Sequence, residues 1–116
     1  MTIREMAKEL GCELVQDEFE DAELSGGYTS DLLSDVMAHA RAGEALITIQ
    51  AHKNTVAVAS LANLPAIVAC NSRPIPPDMI EAAREEGIAI LRTKETQYQV
   101  SGHLFALFAT STDRAI

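Results

Sequence analysis

Two short apolar runs set the pattern of this chain. Leu46-Ile47-Thr48-Ile49 and Ala66-Ile67-Val68-Ala69 are too short for buried helices and rich in branched residues, so each predicts a buried strand. Between them the period changes. Val56, Ala57, Ser60, Leu61 and Leu64 recur at i, i+1, i+4, i+5 and i+8, which predicts a helix with those residues on its core face. Asn54 stands where its N-cap belongs. Strand, helix and strand together predict a βαβ unit of a parallel sheet. Thr55-Val56-Ala57-Val58 also suits a hairpin, and the Ala-rich continuation to Asn63 favours the helix.

The flanking chain extends the alternation. Thr2-Ile3-Arg4-Glu5 matches a capping box, and Ile3, Met6, Ala7 and Leu10 follow on one helical face before Gly11. Residues 12 to 15 read as a strand. The acidic stretch 16 to 23 reads as a loop with Phe19 as an anchor, and a second strand is expected to begin in Ala22-Glu23-Leu24-Ser25. Gly26-Gly27-Tyr28 then interrupts the pattern, and Thr29-Ser30-Asp31 supplies three candidate caps. A helix follows with Leu32, Leu33, Val36, Met37 and Ala40 on one face, ended by Gly43. Pro76-Pro77 opens another helix, with Met79, Ile80 and Ala83 inward and Gly87 as its stop. Ile88 to Leu91 is the last strand. Thr93 or Thr96 caps a final helix bearing Tyr98, Leu104, Phe105, Leu107 and Phe108. The order helix-strand-strand-helix-strand-helix-strand-helix-strand-helix predicts a three-layer α/β/α sandwich with a mostly parallel sheet of about five strands. Residues 1–110 form a single domain in this reading, and 111–116 a frayed tail.

Composition narrows the classes. The 116 residues are 47% hydrophobic but only 4% aromatic and contain no Trp, so the core is aliphatic. A net charge of −8 leaves no electrostatic footprint for nucleic acid or an anionic membrane. No apolar run reaches the ~18 residues of a membrane span, and the start lacks a signal-peptide pattern. Cys12 and Cys70 have no metal or redox spacing and read as free buried thiols of a cytoplasmic protein.

Two stretches offer chemistry. Gly26, Gly27, Thr29 and Ser30 precede a helix and suit an anion site on backbone amides, against the plain reading of a capped turn with Asp31 and Asp35 repelling any anion. The second is Gln50, His52, Lys53 and Asn54 at the end of a parallel strand, where open α/β sheets bind ligands. Asn71, Ser72 and Arg73 follow the neighbouring strand, so all seven can line one crevice for a nucleotide or another small anion. The competing reading is an exposed polar loop. His39, His52 and His103 lie on separate elements without a metal or triad pattern, so no catalytic, metal or cofactor site is assigned. The apolar groups around the last helix exceed what one sheet face can bury, which points to a homodimer.

GGYTSDLLSDVM (Gly26 to Met37), LITIQAHKNTVAVASL (Leu46 to Leu61) and the Pro-helix-Gly-strand-Thr layout of Pro74 to Thr93 resemble the DRTGG domain. That family is related to the amino-terminal domain of HPr kinase and also occurs beside CBS domains. The Asp-Arg-Thr-Gly-Gly string itself is absent. Gln50-Ala51-His52-Lys53-Asn54 stands where many relatives carry glycines and an Asp-Arg pair, and Cys70-Asn71-Ser72 where many carry Thr-Gly-Gly. The resemblance implies a regulatory or adaptor module without catalysis, with a kinase or hydrogenase-type protein as partner. The alternatives are a small phosphoryl-transfer or hydrolytic enzyme using Lys53 and His52, and a structural dimerisation scaffold.

Overall fold

The computed structural model describes residues 1–110; the expected frayed tail at 111–116 lies outside the described residues. The elements run α1 (Ile3–Leu10), β1 (Glu13–Gln16), β2 (Gly26–Thr29), α2 (Leu33–His39), β3 (Glu44–Thr48), α3 (Lys53–Ala62), β4 (Ala66–Ala69), α4 (Pro77–Glu86), β5 (Ala89–Arg92) and α5 (Gln97–Ala109). This is the predicted order. The segment after Asn54 is helical, which removes the hairpin alternative.

The sheet order is β1-β5-β4-β3-β2, with β1 antiparallel and the other four strands parallel. Register explains how the layers form. Ala45, Ala66 and Ala89 align in one row across β3, β4 and β5, followed by the row Ile47, Val68 and Leu91. Both rows face α1 and α5, where Ile3, Met6, Val100 and Leu104 complete one core. The intervening row, Leu46, Ile67 and Ile90, points the other way, onto Val36 of α2, Val56 and Ala59 of α3, and Met79 and Ala83 of α4. Strands covered on both faces need apolar residues at every position, which is why the runs are continuous. The row of alanines lets α1 and α5 seat close to the sheet. Successive right-handed crossovers stepping in one direction leave α2, α3 and α4 on one face.

Several local expectations are corrected. The second strand does not start at Ala22; that segment makes only an isolated bridge, Thr2 to Glu23, and Leu24 is buried. The strand is Gly26–Thr29 itself. Gly27 serves packing rather than a turn, since a Cβ there would stand 2.9 Å from Leu104 Cδ2. None of Thr29, Ser30 and Asp31 caps α2; the N-cap is Leu32, without a side-chain bond. On α2 only Val36 is buried, while Leu32 and Met37 of the expected core face are exposed. Asn54 is likewise not the cap of α3, which is His52, its Nδ1 accepting from the Asn54 amide. The core face of α3 is Thr55, Val56 and Ala59, so Ala57 is exposed and Leu61 is 71% exposed. Val56 fits both apolar phases of this Ala-rich helix; the sheet surface selected the one that buries the Thr55 hydroxyl against the Gln50 carbonyl.

Gly43 holds the turn between α2 and β3 at φ +88°, and its backbone bonds both Asn63 and Ser25. A Cβ there would meet Ser25 Oγ at 2.9 Å. Gly43→Ala is expected to lower the unfolding free energy by about 1–3 kcal/mol, read from the urea midpoint; an unchanged midpoint would show that the turn relaxes freely.

Candidate functional site

Because β2 to β5 are parallel, their carboxyl ends share one edge of the sheet. Four connections leave there: Ser30 to Leu32, Ile49 to His52, Cys70 to Pro76 and Thr93 to Thr96. All nine sequence-predicted residues lie on or beside these connections, and the fold does gather them at one end.

Asp31 organises this edge. Its Oδ1 accepts from the Thr48 hydroxyl at 2.8 Å, the Ile49 amide at 2.9 Å and the Gln97 side-chain amide at 2.9 Å. Its carbonyl accepts from Gln50 Nε2 at 3.1 Å. One carboxylate thus ties the β2–α2 connection to the end of β3 and the start of α5. Charge-assisted bonds of this kind are stronger than neutral ones. Thr48 adds a bond from the Gln50 amide to its own hydroxyl oxygen, which shapes the first turn beyond β3.

The second fixed point follows β4. Arg73 N–H donates to the Cys70 carbonyl at 3.3 Å, and the two residues between have positive φ, 61° at Asn71 and 51° at Ser72. Positive φ at both central positions characterises a type I′ turn, normally the domain of Gly, Asn and Asp. Arg92 holds the turn from β5, with Nε donating to the Arg73 carbonyl at 2.8 Å and Nη2 to the Ser72 carbonyl at 2.9 Å.

The backbone amides here are largely engaged. Asn71 N–H donates to Glu95, Ser72 N–H to Thr93 and Arg73 N–H to Cys70. Ser30 N–H goes to Ile47, and Leu32 N–H to the Ser30 hydroxyl. An amide cradle for phosphate, the candidate at Ser30, is therefore not available from these groups. Lys53, Asn54, Asn71 and Arg73 are exposed. His52 is exposed too, with Nδ1 taken by its capping bond.

The depressions along this edge divide the predicted residues. Lys53 and Asn54 open onto a groove of about 410 Å³ between α3 and α4, with Glu85 and Glu86 at its other side. Ser72 lines a hollow of about 300 Å³ with Arg92, Lys94 and Glu13. Thr29 faces a third, of about 400 Å³, between β2 and α5, and its Oγ1 lies 2.6 Å from Ser101 Oγ. The strand order from β5 to β2 never reverses, but α4 and α5 leave the adjacent ends of β4 and β5 to opposite faces, and the hollow that Ser72 lines lies beside that divergence. Sequence reasoning missed Asp31 as a tie, as well as Thr48, Gln97 and Arg92. Their partners lie up to 66 residues away in the chain, beyond any local signal.

Tyr28, Asp35 and the two cysteines are held within the fold. The Tyr28 hydroxyl donates to Asp35 at 2.8 Å, and this bond draws the carboxyl below its ordinary pKa and raises that of the phenol. Burial pushes the Cys12 thiol up to about 11 and the Cys70 thiol up to about 12. Both cysteines are free, as expected, but only Cys70 is fully buried; Cys12 is half-buried. Among the described residues no group of three or more His, Cys, Asp or Glu is placed to hold a metal, and no helix is long and apolar enough to cross a membrane.

A family profile described as HPr Serine kinase N terminus matches residues 46–107, more than half of the chain, from β3 through most of α5. The chain belongs to this family. It is a DRTGG-like domain. HPr kinase/phosphorylase of Streptococcus uberis is 44% identical over 52 residues, a stretch that covers 41% of this chain and 17% of that protein. Among solved structures, the CBS and DRTGG domains of the regulatory region of Clostridium perfringens pyrophosphatase, complexed with the activator diadenosine tetraphosphate, match with a TM-score of 0.69 at 12% identity. That match covers 89% of this chain and 45% of the other, so the shared DRTGG-like fold reaches beyond the profile to the amino-terminal elements.

Asp31→Ala strands the Ile49 amide and the Thr48 hydroxyl, and is expected to cost about 1–3 kcal/mol, with faster hydrogen exchange at Ile49. Asp31→Asn keeps an acceptor and is expected to lose less; equal losses would show that the charge, not the geometry, ties the edge. The thiol shifts set a pH dependence. Both folded values lie above the ordinary 9.0, so the contribution to stability is complete below pH 9 and declines as pH rises toward 11 to 12. Native protein at pH 8 should therefore resist iodoacetamide while a denatured control reacts; equal rates would contradict the burial.

Proposed function

We propose that this DRTGG-like domain is a non-catalytic regulatory module that binds a small anionic ligand of the nucleotide class at the carboxyl edge of its sheet, and that it works as a homodimer. The observation that carries the ligand reading is the placement of two exposed cations, Lys53 and Arg73, beside loops already immobilised by Asp31 and by the Arg92 clamp. Pre-set loops lower the entropy a ligand must overcome. A related fold occurs in a pyrophosphatase regulatory region that was crystallised with a dinucleotide activator, which supports the same class of ligand here. With the amides spent, phosphate charge is met by Lys53 and Arg73, while Gln50, His52, Asn54, Asn71 and Ser72 supply polar contacts. Thr29 and Ser30 stand farther along the edge, where they position Ser101 and Leu32.

A catalytic role for His52 and Lys53 is less favoured. The His52 Nδ1 already accepts the Asn54 amide, and a general base needs a free nitrogen held toward its substrate. With Nδ1 accepting, the neutral ring carries its proton on Nε2, which is a donor on an exposed ring.

The test is a thermal-shift titration with AMP, ADP, ATP, diadenosine tetraphosphate and inorganic phosphate. At a concentration one hundred times Kd, binding should add about 2.7 kcal/mol of stability, and Arg73→Ala and Lys53→Ala should each reduce the shift without changing the unliganded midpoint. No shift with any of these ligands would sink the ligand reading.

A further inference from the structure

The helix α5, Gln97–Ala109, contains no Asp, Glu, Lys or Arg in its 13 residues. Every other helix of the fold carries at least one. Its inner face is spent on Val100, Leu104 and Phe108. Its outer face carries Gln99 and His103 but also an apolar stripe: Tyr98 is 89% exposed and Phe105 76% exposed, and with Gly102 and Ala109 they form an exposed row at spacings of four, three and four. That is the period of one helical face.

Gly102 is the second observation. It sits mid-helix, where glycine lowers helix stability relative to alanine. Nothing within the chain requires it, since a Cβ built there meets no atom within 4 Å. Gly27 differs in this respect, because Leu104 occupies the space its Cβ would need. A glycine without an internal reason, on an exposed apolar stripe, fits close approach by a backbone from outside the chain.

The third observation is the hollow of about 400 Å³ beside the stripe, walled by Gly26, Gly27 and Ile47 on one side and by Phe105, Phe108 and Ala109 on the other. Projecting ring and hollow lie on the same surface, which is what a two-fold contact requires, because each copy must present both parts. Its one carboxylate, Glu44, accepts from the Arg41 amide at the rim.

We propose that α5 is the face on which two copies of this chain meet, crossing at Gly102 and Ala106, with Phe105 of each copy entering the β2–α5 hollow of the other. Charge selects a second copy as the occupant. A chain of net charge −8 repels itself wherever acidic surfaces face each other, and α5 is the helix on which that repulsion is absent. This inference rests on the homodimer reading above and specifies its surface.

Light scattering on the full chain tests it. Wild type is expected at the mass of two chains. Phe105→Glu and Gly102→Glu are both exposed positions that leave the internal core untouched, and each should halve the mass while the circular dichroism stays unchanged. Phe105→Ser gives the same readout without an added charge, should either glutamate variant lose helix signal. Leu61→Glu, on the opposite layer, should remain at two chains. A wild type at the mass of one chain across the concentration range overturns both the dimer and this surface. A wild type at two chains whose Phe105 and Gly102 variants also stay at two chains overturns the surface and leaves the dimer.

Discussion

The in-register pairing of β3, β4 and β5 is the constraint on which the rest of this structure depends. It sets alanines beside alanines on one face, and Leu46, Ile67 and Ile90 beside each other on the opposite face. A slip of one residue would exchange the two faces, pushing large side chains into the space where α1 and α5 seat and leaving alanines under α2, α3 and α4. The same register brings the strand ends level. Thr48, Ala69 and Arg92 lie across from one another, and the loops that follow them emerge at one edge. The candidate site is thus a consequence of how the core packs.

At that edge the chain commits its polar groups to itself. Asp31 spends one oxygen on three donors, and Arg92 spends two nitrogens on the carbonyls of a left-handed turn. Buried or half-buried polar groups must be satisfied, and doing so from side chains far apart in sequence makes the loops stiff. Lys53 and Arg73 stay exposed beside these loops. The helix α5 touches both ends of this arrangement, through Gln97 on Asp31 and Ser101 on Thr29, so its outer surface and the strand-end loops belong to one connected body.

Much of this was legible in the residues alone. The order of ten elements, the layer architecture and the continuous apolar strands follow from hydrophobic period and stop signals, because burial on two faces and capping are local demands. The capping box expected at Thr2 is formed, the last helix is capped by Thr96 of the two candidates offered, and the resemblance to the DRTGG domain holds for the family and the fold. What the chain could not disclose by itself are the choices between equivalent local options. On α3 two apolar phases compete, and only contact with the sheet selected Thr55 and Ala59 over Ala57 and Leu61. Gly26 and Gly27 look like a turn until Leu104 and Ile47 are seen pressing on Gly27 from above the sheet. Asp31 looks like a cap until Thr48, Ile49 and Gln97 arrive as donors. Those decisions depend on atoms distant in sequence, and pattern reading counts only neighbours along the chain.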